Sequence, residues 1–203
     1  MSVEAVQADF ALSAGWRRSR RDDEAVESRS LMTAALAGVA TVSILFLTCG
    51  LPGSGRTTLA RRLEREWSAL RLTADEWLHE LHPNLSGDEL DAMRDPVERV
   101  RWSAAVRVLE TGGNVVLDWG LWSREERDHY RTEAQALGAQ VVLCVLDPPS
   151  DELRRRLSER NGDLPRGTFP ITQGRLDDAT RYFQRPTAEE LAEFDPSPAA
   201  TQQ

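Results

Sequence analysis

One stretch of the chain collects residues suited to holding anions. From position 50 it reads Gly50, Leu51, Pro52, Gly53, Ser54, Gly55, Arg56, Thr57, Thr58. Glycines at 50, 53 and 55 permit positive φ and leave no side chain between the backbone and a bound group. Successive N–H groups of such a loop converge on one concavity, and a helix that follows adds its positive end. That chemistry suits the terminal phosphates of a nucleotide. Gly50, Pro52, Gly53, Ser54, Gly55, Arg56, Thr57 and Thr58 are therefore expected to hold ATP, with the Thr57 hydroxyl offered to Mg²⁺. The pattern is G-x-x-x-x-G-K-[ST] with arginine in the lysine position. Arginine keeps the charge but is planar and larger, so it cannot occupy the same volume. All 25 basic residues of the chain are arginine, so Arg56 fits a compositional trend as well as a change of chemistry. A working site with altered geometry and a site that binds nucleotide but turns it over poorly both follow from it.

Carboxylates end three short apolar runs. Asp75, in RLTADEW, stands where it can take the proton of an attacking hydroxyl, and equally where it can cap the next helix. Asp118 ends NVVLD, a position that holds Mg²⁺ together with Thr57 or simply makes a turn. Asp147 precedes Pro148 and reads as a turn residue. In DELRRRLSERN, Arg156 and Arg160 are four apart and share a helical face. They suit a mobile lid that neutralises charge during transfer and excludes water; the plainer reading is a solvated face paired with Glu152 and Glu159. Arg124 and Arg127, after the third strand, are substrate or phosphate candidates. Trp77, Trp119 and Trp122 follow strand ends and either wall a ring-bearing substrate or pack. His79 and His82 are three apart with no third ligand evident, so no metal site is expected there.

The scaffold for these groups is legible in the hydrophobic pattern. Residues 43–50 form a continuous apolar run into glycine, as in a strand buried on both faces. Leu59, Leu63, Trp67 and Leu70 then fall on one helical face. Further strands are expected at 70–73, 114–118 and 140–147, with a short one at 168–172. Helices are expected between them, one capped by Ser123 with Glu126 in the capping-box position and closed by Gly138. This alternation predicts an α/β fold: a three-layer α/β/α P-loop NTPase architecture with a mostly parallel sheet of about five strands and right-handed crossovers. Ligands of such sheets bind beyond the carboxyl ends of the strands, where every candidate group above lies.

Composition sets the bounds. A chain of 203 residues with 40% hydrophobic content suffices for one domain and its core. Residues 1–31 are polar, without apolar period, and are expected to be a disordered N-terminal extension. Residues 32–194 are expected to form the domain and 195–203 a disordered tail. A net charge of −8 disfavours nonspecific binding to nucleic acid or anionic membranes. The apolar stretch 34–47 is shorter than the ~20 residues of a membrane span, and the first residues lack a basic leader. Cys49 and Cys144 read as buried thiols of a reducing compartment. A cytoplasmic location is expected.

The segments GLPGSGRTTLARRLE, RLTADEW, NVVLDWGLWSREERD and VVLCVLD followed by DELRRRLSERN resemble the bacterial AAA-type ATP-binding proteins of the zeta-toxin and polynucleotide-kinase-like P-loop kinases, a set that includes chloramphenicol phosphotransferase. The resemblance covers about residues 43–191 and ends near FQRPTAEEL. It implies an ATP-dependent kinase acting with Mg²⁺ on a hydroxyl of a small molecule: a nucleoside, a sugar or an antibiotic. A nucleic-acid acceptor is implied only as a polynucleotide end. By match, Asp75 is the general base, Asp118 the aspartate after the third strand, and Arg156 and Arg160 the lid arginines. Alternatives are a catalytically weakened nucleotide-binding regulator, suggested by Arg56, and a toxin-like kinase. Oligomeric state is left open.

Overall fold

The computed structural model describes residues 42–198 apart from position 86 and positions 164–168. The extension expected at 1–31 and the last five residues of the expected tail lie outside the described residues. In chain order the elements are β1 (Ile44–Gly50), α1 (Arg56–Glu66), β2 (Leu70–Thr73), α2 (Ala74–Leu81), α3 (Gly87–Ala92), α4 (Arg94–Glu110), β3 (Val115–Asp118), α5 (Arg124–Ala136), β4 (Gln140–Leu146), α6 (Ser150–Gly162), α7 (Gln173–Tyr182) and α8 (Ala188–Leu191).

The strands form one sheet in the order β2-β3-β1-β4, and every pairing is parallel. β1 sits inside the sheet and is buried along its whole length, which is why it is apolar throughout rather than alternating. Its residues nonetheless divide by face. Ile44 and Phe46, with Val116 and Val142, pack under Ala60 and Leu63 of α1. Leu45 and Leu47, with Val115, Leu117 and Val141, pack against Ala105 and Leu109 of α4 and Ala134 of α5. These are the three layers the alternation predicts. Each large apolar side chain so buried stabilises the fold by about 1.5–3 kcal/mol.

Four strands form among the described residues, not about five. Residues 169–172 carry no strand. The Asn161 side chain takes both backbone groups of Ile171, accepting from its N–H at 3.2 Å and donating to its carbonyl at 2.8 Å. A neighbouring strand would otherwise satisfy these groups. Thr172 then caps α7 by accepting from Arg175 N–H. At the other end the fold reaches past 194: Asp195 donates its N–H to Val141 O at 2.9 Å and accepts from Val141 N–H at 2.7 Å. That residue was expected in the loose tail.

The strand order locates the site. From β1 the chain crosses to β2 on one side of the sheet; from β3 it crosses back over β1 to β4. The connections of the neighbours β1 and β3 thus leave in opposite directions, which opens a crevice outside their carboxyl ends. Gly50 ends one of these strands and Asp118 the other. No helix among the described residues is long and apolar enough to cross a membrane.

Candidate active site

The glycine loop joins β1 to α1. Gly53 and Gly55 have φ of +83° and +100°, which only glycine adopts without strain. Gly55 is the N-cap of α1 and supplies no side-chain bond, and no acidic residue lies in the first turn. The positive end of the helix is therefore left to the cleft. Gly53 also meets a close neighbour: a Cβ there would lie 3.0 Å from Leu157 Cγ of α6. Leu153 and Leu157 are buried, so α6 rests on the loop rather than hanging over it as a free flap. Arg156 of that helix donates to Ser54 O at 3.3 Å and to Glu152 at 2.7 Å. Arg160 donates to Phe169 O at 3.1 Å. Burial lowers the pKa of Arg160, and the nearby Asp75 opposes this. Both arginines line the cleft.

Gly50 departs from expectation. Its N–H donates to Gly120 O at 3.1 Å, and its carbonyl accepts from Trp122 Nε1 at 3.1 Å. Both backbone groups are spent on the loop after β3, so Gly50 does not face a phosphate. Its glycine is required for another reason: a Cβ would run into Leu146 O and Ser54 Oγ. The other loop candidates, Pro52, Gly53, Ser54, Gly55, Arg56, Thr57 and Thr58, line a cleft of about 1440 Å³.

Within that cleft the Thr57 hydroxyl donates to Asp118 Oδ1 at 3.3 Å. Burial raises the pKa of Asp118, while Arg56, Thr57 and Arg71 pull it down. Arg71 approaches Asp118 Oδ2 at 3.4 Å and is itself held by Glu76 at 2.8 and 2.9 Å and by Glu64 at 3.3 Å. Sequence reasoning missed Arg71, although a charge in the middle of the short strand LRLT was the available signal. Arg56 lines the cleft and makes no hydrogen bond or ion pair to any described residue. Burial lowers its pKa, opposed by Asp118 and Asp75. Asp75 is the second residue of α2, and Thr73 holds the cap position. The capping role is therefore not what places Asp75; it lines the cleft, half-exposed, 3.5 Å from Arg94.

The loop after β3 is fixed atom by atom. Thr48 donates to Trp119 O at 3.1 Å, Gly50 to Gly120 O, Arg127 to Leu121 O at 2.9 Å, and Gln184 N–H to Trp122 O at 2.8 Å. Leu121 adopts φ of +45°, a conformation that persists because its surroundings impose it. Arg127 is thus misassigned as a substrate contact. It is fully buried, forks onto Glu190 at 2.6 and 3.0 Å, and cannot reach a ligand. Arg124 is likewise outside the cleft, on the surface against Asp128 and Glu193. Trp119 and Trp122 line the cleft, whereas Trp77 packs between two core clusters. Trp119 is itself largely core, with the Arg101 guanidinium over its ring at 4.6 Å and Tyr130 edge-on at 4.8 Å. Among the described residues no three His, Cys, Asp or Glu side chains cluster; His79 stands edge-on to Phe169, with ring centroids 6.2 Å apart, and His82 is the C-cap of α2.

A family model described as "AAA domain" matches residues 45–186. A guanylate kinase of Novosphingobium aromaticivorans is 26% identical over 70% of this chain and 66% of its own length, just under two thirds of that protein. Chaetomium thermophilum Kti12, crystallised in complex with ADP-AlF3, superposes with a TM-score of 0.56 at 19% identity, over 75% of this chain and 86% of that one. A chain of the Pnkp1/Rnl/Hen1 RNA repair complex superposes at 0.58 with 22% identity, over 76% of this chain and 47% of that one. At these identities the structural likeness is one of fold, and that fold is the P-loop kinase-like one.

Proposed function

This chain belongs to the AAA-domain family, and we propose that it is a phosphotransferase that moves the γ-phosphate of ATP, with Mg²⁺, to a hydroxyl of a small molecule in the cytoplasm. The observation that carries this reading is the convergence in one cleft of the glycine loop, Arg56, which no described residue pairs, and the half-exposed Asp75, close enough that Asp75 acts electrostatically on both Arg56 and Arg160. The ADP-AlF3 held by Kti12 and the activity named for the guanylate kinase support a nucleotide-dependent transfer. Cys49 and Cys144, free thiols pushed up to about 11 by burial, suit a reducing compartment.

In this mechanism the loop amides and the start of α1 orient the phosphates. Asp75 accepts the proton of the acceptor hydroxyl as its oxygen attacks the γ-phosphorus; the bond from that phosphorus to the bridging oxygen breaks, and ADP leaves. Arg56, Arg156 and Arg160 offset the charge that develops. Thr57 and Asp118 are an oxygen pair suited to Mg²⁺, which when bound shares the neutralisation of the phosphates. Titration with a fluorescent ATP analogue, followed by transfer from γ-labelled ATP to a panel of nucleosides, sugars and antibiotics, tests the whole assignment. A chain that binds no nucleotide would end it.

Arg56 favours a second reading, nucleotide binding with little turnover, because a guanidinium replaces the compact ammonium. Two substitutions separate them. Arg56→Ala is expected to weaken nucleotide affinity by about 10–100-fold, the loss of one charge-assisted hydrogen bond. Arg56→Lys is expected to alter ATP turnover by less than about tenfold; a larger gain would mark the natural residue as a brake and favour the second reading.

Asp118 supplies a pH test. Its carboxyl has a raised pKa in the fold, so it binds its proton more tightly there than in the unfolded chain. Such a group costs stability as the pH rises through the ordinary carboxylate range towards the raised value. Asp118→Asn is therefore expected to raise the Tm of the nucleotide-free protein at about pH 7–8 and to leave it unchanged at low pH, where both forms are neutral. The same substitution is expected to remove the extra stabilisation that Mg²⁺ adds to ADP. Thermal melts across pH, with and without Mg²⁺–ADP, read both effects; a lower Tm at neutral pH would show that Asp118 is held mainly by its arginine partners.

A further inference from the structure

The turn after β3 is strained, and it delivers one group to the glycine loop. Leu121 stands at φ of +45°, which is unfavourable for any residue with a Cβ. Its carbonyl is held by Arg127 Nη1 at 2.9 Å and by Cys49 Sγ at 3.4 Å. Gly120, just before it, has no room for a side chain: a Cβ there would lie 2.5 Å from Trp122 Nε1. Trp122 thus folds back across Gly120, and its indole N–H donates to Gly50 O at 3.1 Å, 72 positions earlier in the chain. The rest of Trp122 is fixed as well. Its ring packs against the cluster of Cys49, Leu51, Leu153, Ala179 and Phe183, and its carbonyl accepts from Gln184 N–H at 2.8 Å. Backbone strain of this kind persists where the surroundings impose it, and it collects at functional sites.

The glycine loop has the opposite character. Gly53 and Gly55 stand at positive φ, and the first N–H groups of α1 have no partner within the helix. Left to itself, such a segment samples many shapes, few of which converge its N–H groups on a phosphate. A carbonyl turned into the concavity would face the anion oxygen to oxygen. Three hydrogen bonds hold carbonyls of the loop: Trp122 Nε1 donates to Gly50 O, Ser54 N–H to Leu51 O at 3.1 Å, and Arg156 to Ser54 O at 3.3 Å. The first of these fixes where the loop begins. The peptide joining Gly50 to Leu51 is a rigid plane, so with its oxygen held towards the indole, the N–H of Leu51 points the other way.

From this geometry we infer that Trp122 is a positioning residue of the glycine loop: its indole N–H holds the Gly50 carbonyl and so keeps the loop in its anion-binding shape before a nucleotide arrives. The inference rests on the nucleotide-binding reading above. Such a tie acts on affinity through the fraction of molecules whose loop is already formed, because the apparent dissociation constant rises as that fraction falls.

Two substitutions in the full chain separate the donor from the ring. Trp122→Phe keeps most of the packing surface and loses the N–H. Trp122→His loses the benzene half of the indole but puts an Nε2–H where Nε1–H was, since the two five-membered rings superpose. Calorimetric titration with Mg²⁺–ADP, at about pH 8 so that the imidazole is neutral and well below each Tm, reads the affinity. Trp122→Phe is expected to bind about 5–20-fold more weakly than the parent, although it retains more of the packing. Trp122→His is expected to bind within about threefold of the parent, although it retains less. Binding by Trp122→Phe within about twofold of the parent, or weaker binding by Trp122→His than by Trp122→Phe, overturns the inference, because a side chain that acts by packing alone gives that order. Should Trp122→His fail to fold, hydrogen exchange of the nucleotide-free parent decides it. The Trp122 indole signal in a ¹⁵N–¹H spectrum is the one missing from Trp122→Phe; slow exchange supports the tie, and exchange at the rate of an exposed indole overturns it. A parent chain that binds no ADP would instead overturn the reading beneath, so the two failures are distinguishable.

Discussion

Asp75→Asn is expected to lower the rate of phosphate transfer by about 10²–10⁴-fold, the contribution of a positioned general base. Asparagine keeps the shape of the side chain but cannot accept the proton. The substitution gives up an ion pair with Arg94 at 3.5 Å; that pair is partly solvated, so little stability is lost with it. Nucleotide affinity is expected to hold or improve, because one negative charge leaves the neighbourhood of Arg56 and Arg160. Single-turnover transfer from γ-labelled ATP reads the rate, and titration with a fluorescent ATP analogue reads the affinity. Transfer at an unchanged rate would remove Asp75 from the mechanism. A parallel collapse of binding would mean that it serves the nucleotide and not the acceptor.

The second large effect lies outside the cleft. Arg127 and Glu190 are both essentially fully buried and share two hydrogen bonds, at 2.6 and 3.0 Å. Removing one partner strands the other charge in the interior, at about 3–5 kcal/mol. Arg127→Met is therefore expected to lower the Tm by roughly 6–20 °C. The double substitution Arg127→Met with Glu190→Leu is expected to recover much of that loss, since two apolar groups of similar size leave no unpaired charge. Differential scanning calorimetry of the single and double variants decides it; a single variant within about 1 kcal/mol of the parent would mean that water reaches the pair. The same change loosens the Leu121 carbonyl, which Arg127 Nη1 holds at 2.9 Å. Acceptor KM in the double variant is thus expected to rise even where stability returns.

How much of this was legible depends on the range of the signal. β1 could be read because burial on both faces leaves an unbroken apolar run, and the start of α5 because Ser123 and Glu126 form a capping box within four residues. The glycine loop was legible as a local pattern in its proper setting of strand and helix. What could not be read was the use made of each glycine. Gly53 and Gly55 serve the loop, while Gly50 serves a contact with residues 120 and 122, which only the sheet brings near. The fifth strand failed because Asn161, ten residues away, took the backbone groups of Ile171. Arg127 was misassigned for the same reason. An arginine four residues into a helix looks solvated until its partner, 63 positions later, is placed beside it. The helix residues that line the cleft left only a faint trace, in pairs such as Glu126 with Tyr130 and Arg94 with Glu98, each one helical turn apart.

The position of Glu190 has a consequence for biosynthesis. Chains emerge from the ribosome in order, at about 5–20 residues per second. Arg127 therefore precedes its counter-charge by 63 residues, about 3–13 s of translation. Until residue 190 appears, packing α5 onto the sheet would bury a lone guanidinium. Asp195, which ties the same C-terminal segment to Val141, arrives later still. Early closure of α5 over Arg127 would therefore carry the cost of a buried charge without its carboxylate partner.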